Sequence, residues 1–360
     1  MKNIPAVMLG TMPAVWEMLG SLAVSLAIVC AFMPIFIPYL RKLKFGQQII
    51  EEYGPTWHKN KQGVPTMGGL VFIIATVLTF LVFGFKYYTQ ASFLSSKGFA
   101  CLITSCLFGL IGFLDDFIKI KKKHNLGLTE MQKLLLQFIV AAAFVVFMAF
   151  NRDLGTIIQI PMGETSGISF DLGFFAYIIW FFAIIGFTNA VNFTDGIDGL
   201  VTGVSIPVMI LFVFVSAVMG SYVSESYYEL VILSMIMVGA LIGFLIFNWH
   251  PAKIFMGDTG SMFLGCMVVT VAISLDMTLL LLVAGVVYLI EVFSVIIQRT
   301  YFKLTHGKRL FKMTPIHHSF ELSGWKEEKI VLVFTAVSVV GCVVAAVLFW
   351  LLFCNHGILI

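Results

Sequence analysis

The sequence predicts an all-α integral membrane protein with about ten transmembrane helices, and three observations lead there. Of 360 residues, 60% are apolar, whereas a soluble domain carries about 45–50% even when glycine is counted. Only 11% are charged, against about 25% in soluble chains. The apolar residues fall in long runs, close to the roughly 20 residues that cross a bilayer core. These runs lack the alternation of membrane β-strands. Disorder is excluded by the same numbers, because it requires low hydrophobicity.

The first run, at about 18–40, has no small-residue cleavage site and reads as a retained span rather than a signal peptide. Runs at about 66–85, 98–118 and 131–150 follow. Segment 151–170 is short and punctuated by Gly and Pro, which predicts a small hairpin. Further runs lie at about 171–193, 200–219, 229–247 and 258–275. Within the third of these, Gly239 and Gly243 form a small-xxx-small pair expected to serve helix packing. The run at 278–300 holds Glu291 near its middle, which marks it as a helix that breaks. The last run covers about 330–353. Together they use most of the chain, so residues 1–360 read as one polytopic domain.

Charge in the connections predicts the orientation. The loops after the odd-numbered spans carry 18 of the 22 Lys and Arg, leaving Lys2, Lys86, Lys97 and Arg152 opposite. The positive-inside rule assigns the basic side to the cytoplasm and both termini to the outside. Six of the seven histidines also lie on the basic side, so the chemistry is expected at the cytoplasmic face. The net charge of +3 is too small for nucleic-acid binding by bulk charge. The six cysteines sit in apolar runs without metal-ligand spacing and read as buried thiols.

Carboxylates gather at the cytoplasmic helix ends. Asp115 and Asp116 close the third span, Asp195 and Asp198 follow the fifth, and Asp258 opens the eighth. Singly, each is an ordinary helix-end residue solvated by headgroup water. Five converging in low dielectric would repel one another unless a cation sat among them. Mg²⁺ suits such a site, since it typically takes one or two carboxylates plus substrate phosphates. Asn189, Asn192 and Asn248 flank the aspartates. Gly68–Gly69 and Gly257–Gly260 begin two helices, where free backbone N–H groups would suit an anion.

The last cytoplasmic loop adds Lys303, His306, Lys308, Arg309 and Lys312, then Pro315-Ile316-His317-His318. The cations are explained by topology. Adjacent histidines after a proline point instead to phosphate contact or proton handling. No zinc pattern, Walker loop or kinase motif accompanies them. Carboxylates, a divalent ion and cations at a membrane edge are the parts of phosphoryl transfer, which works by positioning and charge neutralisation. A nucleotide sugar or similar cytosolic diphosphate is the expected donor, and a lipid the expected acceptor.

At these motifs the chain resembles the phospho-N-acetylmuramoyl-pentapeptide transferases, within the polyprenyl-phosphate N-acetylhexosamine-1-phosphate transferase superfamily. The resemblance runs nearly end to end: Lys44-Phe-Gly-Gln47, Gly63-Val-Pro-Thr-Met-Gly-Gly69, Phe113-Leu-Asp-Asp116, Asn189 to Gly199, Phe255 to Ser261 and Met313-Thr-Pro-Ile-His-His318. It implies a bacterial plasma-membrane enzyme. Such an enzyme transfers phospho-N-acetylmuramoyl-pentapeptide from UDP-N-acetylmuramoyl-pentapeptide to undecaprenyl phosphate. UMP is released and the first lipid-linked peptidoglycan precursor is formed. Membrane lipids surround it, nucleic acid is not a partner, and a homodimer is left open.

The resemblance also implies roles. Asp258 resembles the principal Mg²⁺ ligand, and Asp115 the residue that deprotonates or positions the lipid phosphate. Asp116 and Asp195 resemble completing neighbours, with Asn192 and Asn189 beside them. Phe255 resembles the aromatic that stacks on uridine, and Lys61, Gly196, Asp198 and Asn248 its polar contacts. Thr66, Lys133, His317 and His318 resemble further substrate or phosphate contacts. The family usually has a third consecutive histidine where this chain has Ser319. Two alternatives stand at this point: a sister transferase that uses UDP-N-acetylglucosamine, and a transporter whose carboxylates line a pathway.

Overall fold

The structure, a computed structural model, describes residues 15–43, 63–84, 96–122, 127–151, 155–160 and 168–356. Four helices come first: α1 (Val15–Lys42), α2 (Gly69–Phe83), α3 (Lys97–Lys122) and α4 (Glu130–Phe150). The start of α4 is fixed by a capping box in which the Thr129 side chain accepts from the Gln132 N–H and the Gln132 side chain returns to the Thr129 N–H. Strands β1 (Ile157–Ile160) and β2 (Ile168–Asp171) then pair antiparallel, with Ile157 opposite Asp171. This is the expected hairpin.

Helices α5 (Phe174–Thr194), α6 (Leu200–Tyr222), α7 (Tyr228–Asn248) and α8 (Gly257–Ser274) continue the chain. They are followed by α9 (Thr278–Ala284), α10 (Val286–Leu304), α11 (Ile316–Glu321) and α12 (Glu327–His356). Each of the ten expected runs coincides with a helix or, for 278–300, with the pair α9 and α10. That run is broken as expected, but the 81° bend falls at Gly285, and Glu291 lies inside the unbroken α10.

Among the described residues, eight helices are long and apolar enough to cross a membrane, and the bent pair would make a ninth. The expected ten is not reached by length alone. With 15 residues, α2 spans about 22 Å at 1.5 Å per residue, short of a hydrocarbon core of about 30 Å.

Helix α8 is the hub. Every residue from Thr259 to Ser274 is buried, and α3, α5 and α2 pack around it. On α7, a Cβ at Gly239 would fall 2.2 Å from the Leu22 carbonyl, and one at Gly243 would fall 3.0 Å from Val29. Those two glycines therefore let α1 approach α7, which is their expected packing role. Large apolar side chains such as Ile35, Leu135, Ile179 and Val340 are exposed on the outer helices. Such a surface suits hydrocarbon and would be an aggregation liability in water.

Candidate active site

The functional end of the bundle is built by α8 against α3. A Cβ at Gly112 would meet the Asp258 carbonyl at 2.1 Å, so only glycine allows this approach. The first turn of α8 then points its free N–H groups at the end of α3. Asp116 takes them: its carboxylate accepts from the backbone N–H of Asp258 at 3.3 Å and of Thr259 at 3.0 Å, and from the Thr259 hydroxyl at 2.7 Å. An anion at a helix N-terminus is favourable. Here that anion is a side chain of the protein itself.

Asp258 projects from the same turn. Its Oδ2 accepts from Lys119 at 2.9 Å and Lys133 at 3.1 Å, and its Oδ1 accepts from Asn192 at 2.8 Å. Lys119 also reaches Asp115 Oδ2 at 2.5 Å, and Asp115 Oδ1 accepts from the Leu128 N–H at 2.8 Å. Asp115, Asp116 and Asp258 thus offer oxygens within 4.8 Å of one another. The donor set is one that a hard divalent cation accepts.

Asp195 lies just beyond α5. Burial, then the charges of Asp258, Asp116 and Asp198, pushes its carboxyl up to about 8. Asp198 belongs to a neighbouring group. It meets His250 Nδ1 at 2.9 Å and the Ala252 N–H at 3.0 Å, while Glu327 lies 3.5 Å from the same imidazole nitrogen. The expected convergence of five carboxylates is therefore three in contact, a fourth that feels their charge, and a fifth paired with histidine.

The remaining expected residues divide by what they touch. Gly257, at φ +73°, lies between Asp116 and Thr66: a Cβ there would fall 2.6 Å from the Asp116 carboxylate and 2.8 Å from the Thr66 hydroxyl. Asn248 accepts from the Gly199 N–H at 3.0 Å and donates to the Ile254 carbonyl at 2.9 Å, tying the Asp198 turn to the segment before Phe255. Phe255 is held through its backbone, its N–H donating to Pro65 and its carbonyl accepting from Gly68. Asn189 pairs with Gln137 of α4 at 2.7 Å. His317 is fully buried, with Nε2 against Gly196, where a Cβ would fall 2.1 Å away. His318 Nδ1 meets Glu321 at 2.6 Å. Lys61 and the Lys44–Gln47 motif lie outside the described residues.

One expectation is corrected. The N–H groups of Gly68 and Gly69 are not free for an anion, because they donate to the carbonyls of Phe255 and Met256 at 2.9 and 3.0 Å. A Cβ at Gly69 would fall 2.3 Å from Gly260 Cα, so this glycine pair lets α2 touch α8. Sequence reading also missed Lys119, which looked like one more basic loop residue. Its i+4 spacing from Asp115 on a helix was the available signal.

Residues 99–276 match the model of glycosyl transferase family 4. A phospho-N-acetylmuramoyl-pentapeptide-transferase of Listeria monocytogenes is 43% identical over 332 residues, covering 92% of this chain and 98% of the relative. One from Halalkalibacterium halodurans is 43% identical over 328 residues, covering 91% and 96%. The Bacillus subtilis protein of the same name is 45% identical over 304 residues, covering 84% and 89%. With its aspartate cluster and its likeness running across nearly the full length of these relatives, the chain belongs to the phospho-N-acetylmuramoyl-pentapeptide-transferase family.

Proposed function

We propose that the protein transfers phospho-N-acetylmuramoyl-pentapeptide from UDP-N-acetylmuramoyl-pentapeptide to undecaprenyl phosphate, releasing UMP and forming lipid I. The observation that carries this reading is the meeting of Asp115, Asp116 and Asp258 with Lys119, Lys133 and Asn192 at one end of an apolar bundle. The relatives' shared name favours the muramoyl-pentapeptide donor over UDP-N-acetylglucosamine. A cluster at one end of the helices fits a transporter poorly, because a transport site lies near mid-bilayer.

The chain is read as one polytopic domain of ten spans in the bacterial plasma membrane, with both termini outside and the site on the cytoplasmic face. Two features support this. The ends of α3 and α5 and the starts of α4 and α8, which build the site, lie on the side to which the sequence assigns the Lys- and Arg-rich loops. The family's donor is cytosolic, whereas its acceptor arrives through lipid.

Mg²⁺ fits the carboxylate cluster, with Asp258 as its principal ligand and Asp115 and Asp116 within reach. When bound, it would neutralise diphosphate charge. The chain's own groups do the rest. Lys119 and Lys133 place two positive charges beside Asp258, where a transferred phosphate must pass. Asn192 donates to both Asp258 and Ser261, so it fixes the rotamer of Asp258. Asp115, held through Leu128, positions the lipid phosphate or takes its proton. Thr66, Asp198, Gly196, Asn248 and Phe255 line the nucleotide side, and His317, with His318 beside it, backs the Gly196 turn on the donor side. One phosphoanhydride replaces another, so the site needs to supply little net free energy.

UMP release in detergent tests the reading. It should require both UDP-N-acetylmuramoyl-pentapeptide and undecaprenyl phosphate. Equal release from UDP-N-acetylglucosamine would assign the chain to the sister activity.

A further inference from the structure

Glu291 and His317 are both fully buried, on α10 and α11, outside the aspartate cluster. Glu291 Oε2 lies 3.1 Å from His317 Nδ1. The contact is electrostatic: none of the four ring and carboxylate atoms makes an aligned hydrogen bond among the described residues. A carboxylate at this depth is costly unless a proton or a cation compensates it. The imidazole beside it can supply either.

The far side of the ring carries the functional consequence. His317 Nε2 faces Gly196, next to Asp195, and a Cβ on Gly196 would fall 2.1 Å from that nitrogen. His317 is thus wedged between Glu291 and the turn that follows α5. His318 repeats the pattern. Its ring lies 4.1 Å from that of His317, and its own Nδ1 meets Glu321 at 2.6 Å. Both imidazoles of the loop therefore present Nδ1 to a carboxylate.

We propose that Glu291 is a positioning residue whose charge beside Nδ1 holds the His317 ring and so keeps Nε2 packed against the Asp195–Gly196 turn of the site. A carboxylate placed against one imidazole nitrogen fixes both the tautomer and the ring orientation at the other. The bend at Gly285 brings Glu291 to this place by turning α10 away from α9. The proposal rests on the phosphosugar-transfer reading only for what His317 acts upon.

The first test needs no variant. In ¹⁵N-histidine-labelled protein, the His317 resonance, identified by its loss in His317→Ala, should show a proton on Nδ1. A bare Nδ1 overturns the proposal. In the UMP assay, Glu291→Gln should lower kcat at least tenfold while moving KM for the nucleotide by less than twofold. Introduced into His317→Ala, the same substitution should cost nothing further, because Glu291 acts through that ring. Equal losses in both backgrounds, or a loss in KM alone, would overturn it. A wild-type protein that releases no UMP from the named pair would defeat the reading of the reaction, while the labelling result would still decide the role of Glu291.

Discussion

Gly112 of α3 packs directly against the backbone carbonyl of Asp258 at the start of α8. Both partners in this contact are backbone, so neither can rotate away. The approach sets the depth at which the end of α3 meets the start of α8. It thereby places Asp115 and Asp116, within one turn of Gly112, in ligand range of Asp258. A packing glycine inside an apolar span thus determines the spacing of the carboxylate cluster.

Gly112→Ala should therefore harm both stability and activity. A methyl group forced into a close backbone contact costs about 1–3 kcal/mol, and the two helices must part to admit it. We expect a lower unfolding midpoint in detergent and a drop of more than tenfold in UMP release. Wild-type values for both would mean that the contact yields freely.

The aspartates are legible in the sequence because five carboxylates in three span-end motifs would repel one another if they converged, which headgroup solvation of each alone does not explain. The spans were legible for the complementary reason: hydrocarbon demands length and apolarity, and little else. What could not be read was pairing across the fold. Glu291 had no partner in sequence, because His317 reaches it only through the bend at Gly285 and the turn into α11. The Gly68–Gly69 pair looked like an anion cradle, since a glycine that frees an N–H and one that admits a neighbouring helix look alike in one dimension. Its N–H groups proved to be spent on Phe255 and Met256.

Asp258→Asn should abolish most turnover. The substitution keeps the shape and the Asn192 contact but removes the charge that two lysines and a divalent cation would share. Loss of a group aimed at developing charge costs about 10²–10³ in kcat. Chelation should silence the wild type, and Mg²⁺ should restore it but not the variant. Full activity of Asp258→Asn in chelator-treated buffer would remove both the metal and this residue from the chemistry.

Asp195 gives a pH dependence whose sign follows from its desolvation and the carboxylates around it. Its carboxyl is pushed up to about 8, whereas an unfolded aspartate titrates near 3.9. Between those values the unfolded chain has lost this proton and the native chain still holds it. The native state then binds more protons, so stability falls as pH rises through that window and levels off above it. In chelator-treated protein, Asp195→Asn should flatten the decline in unfolding midpoint between pH 5 and 8. Profiles that stay parallel would place Asp195 in water rather than among its neighbouring carboxylates.

The serine that replaces the family's third histidine has a definite task. Ser319 Oγ donates to the Met313 carbonyl at 2.6 Å and accepts from the Met313 N–H at 3.1 Å, closing the loop that delivers His317 and His318. A hydroxyl can do both at once, but it cannot carry charge or exchange a proton near neutral pH. An imidazole can do so with a pKa near 6.5. The chemistry at this position therefore cannot require a base, and the side chain there serves the loop. Ser319→His should change turnover by less than about tenfold, equivalent to roughly 1.4 kcal/mol in the barrier. Ser319→Ala should remove the clasp and destabilise the loop by about 1 kcal/mol. His317→Ala should cost considerably more activity than either, since its ring lies against the Asp195–Gly196 turn, and His318→Ala should do likewise. Initial rates across pH 6–9, with folding matched by unfolding midpoint, separate these cases. A double alanine variant at 317 and 318 with full activity would show that the loop only positions the chain at the membrane.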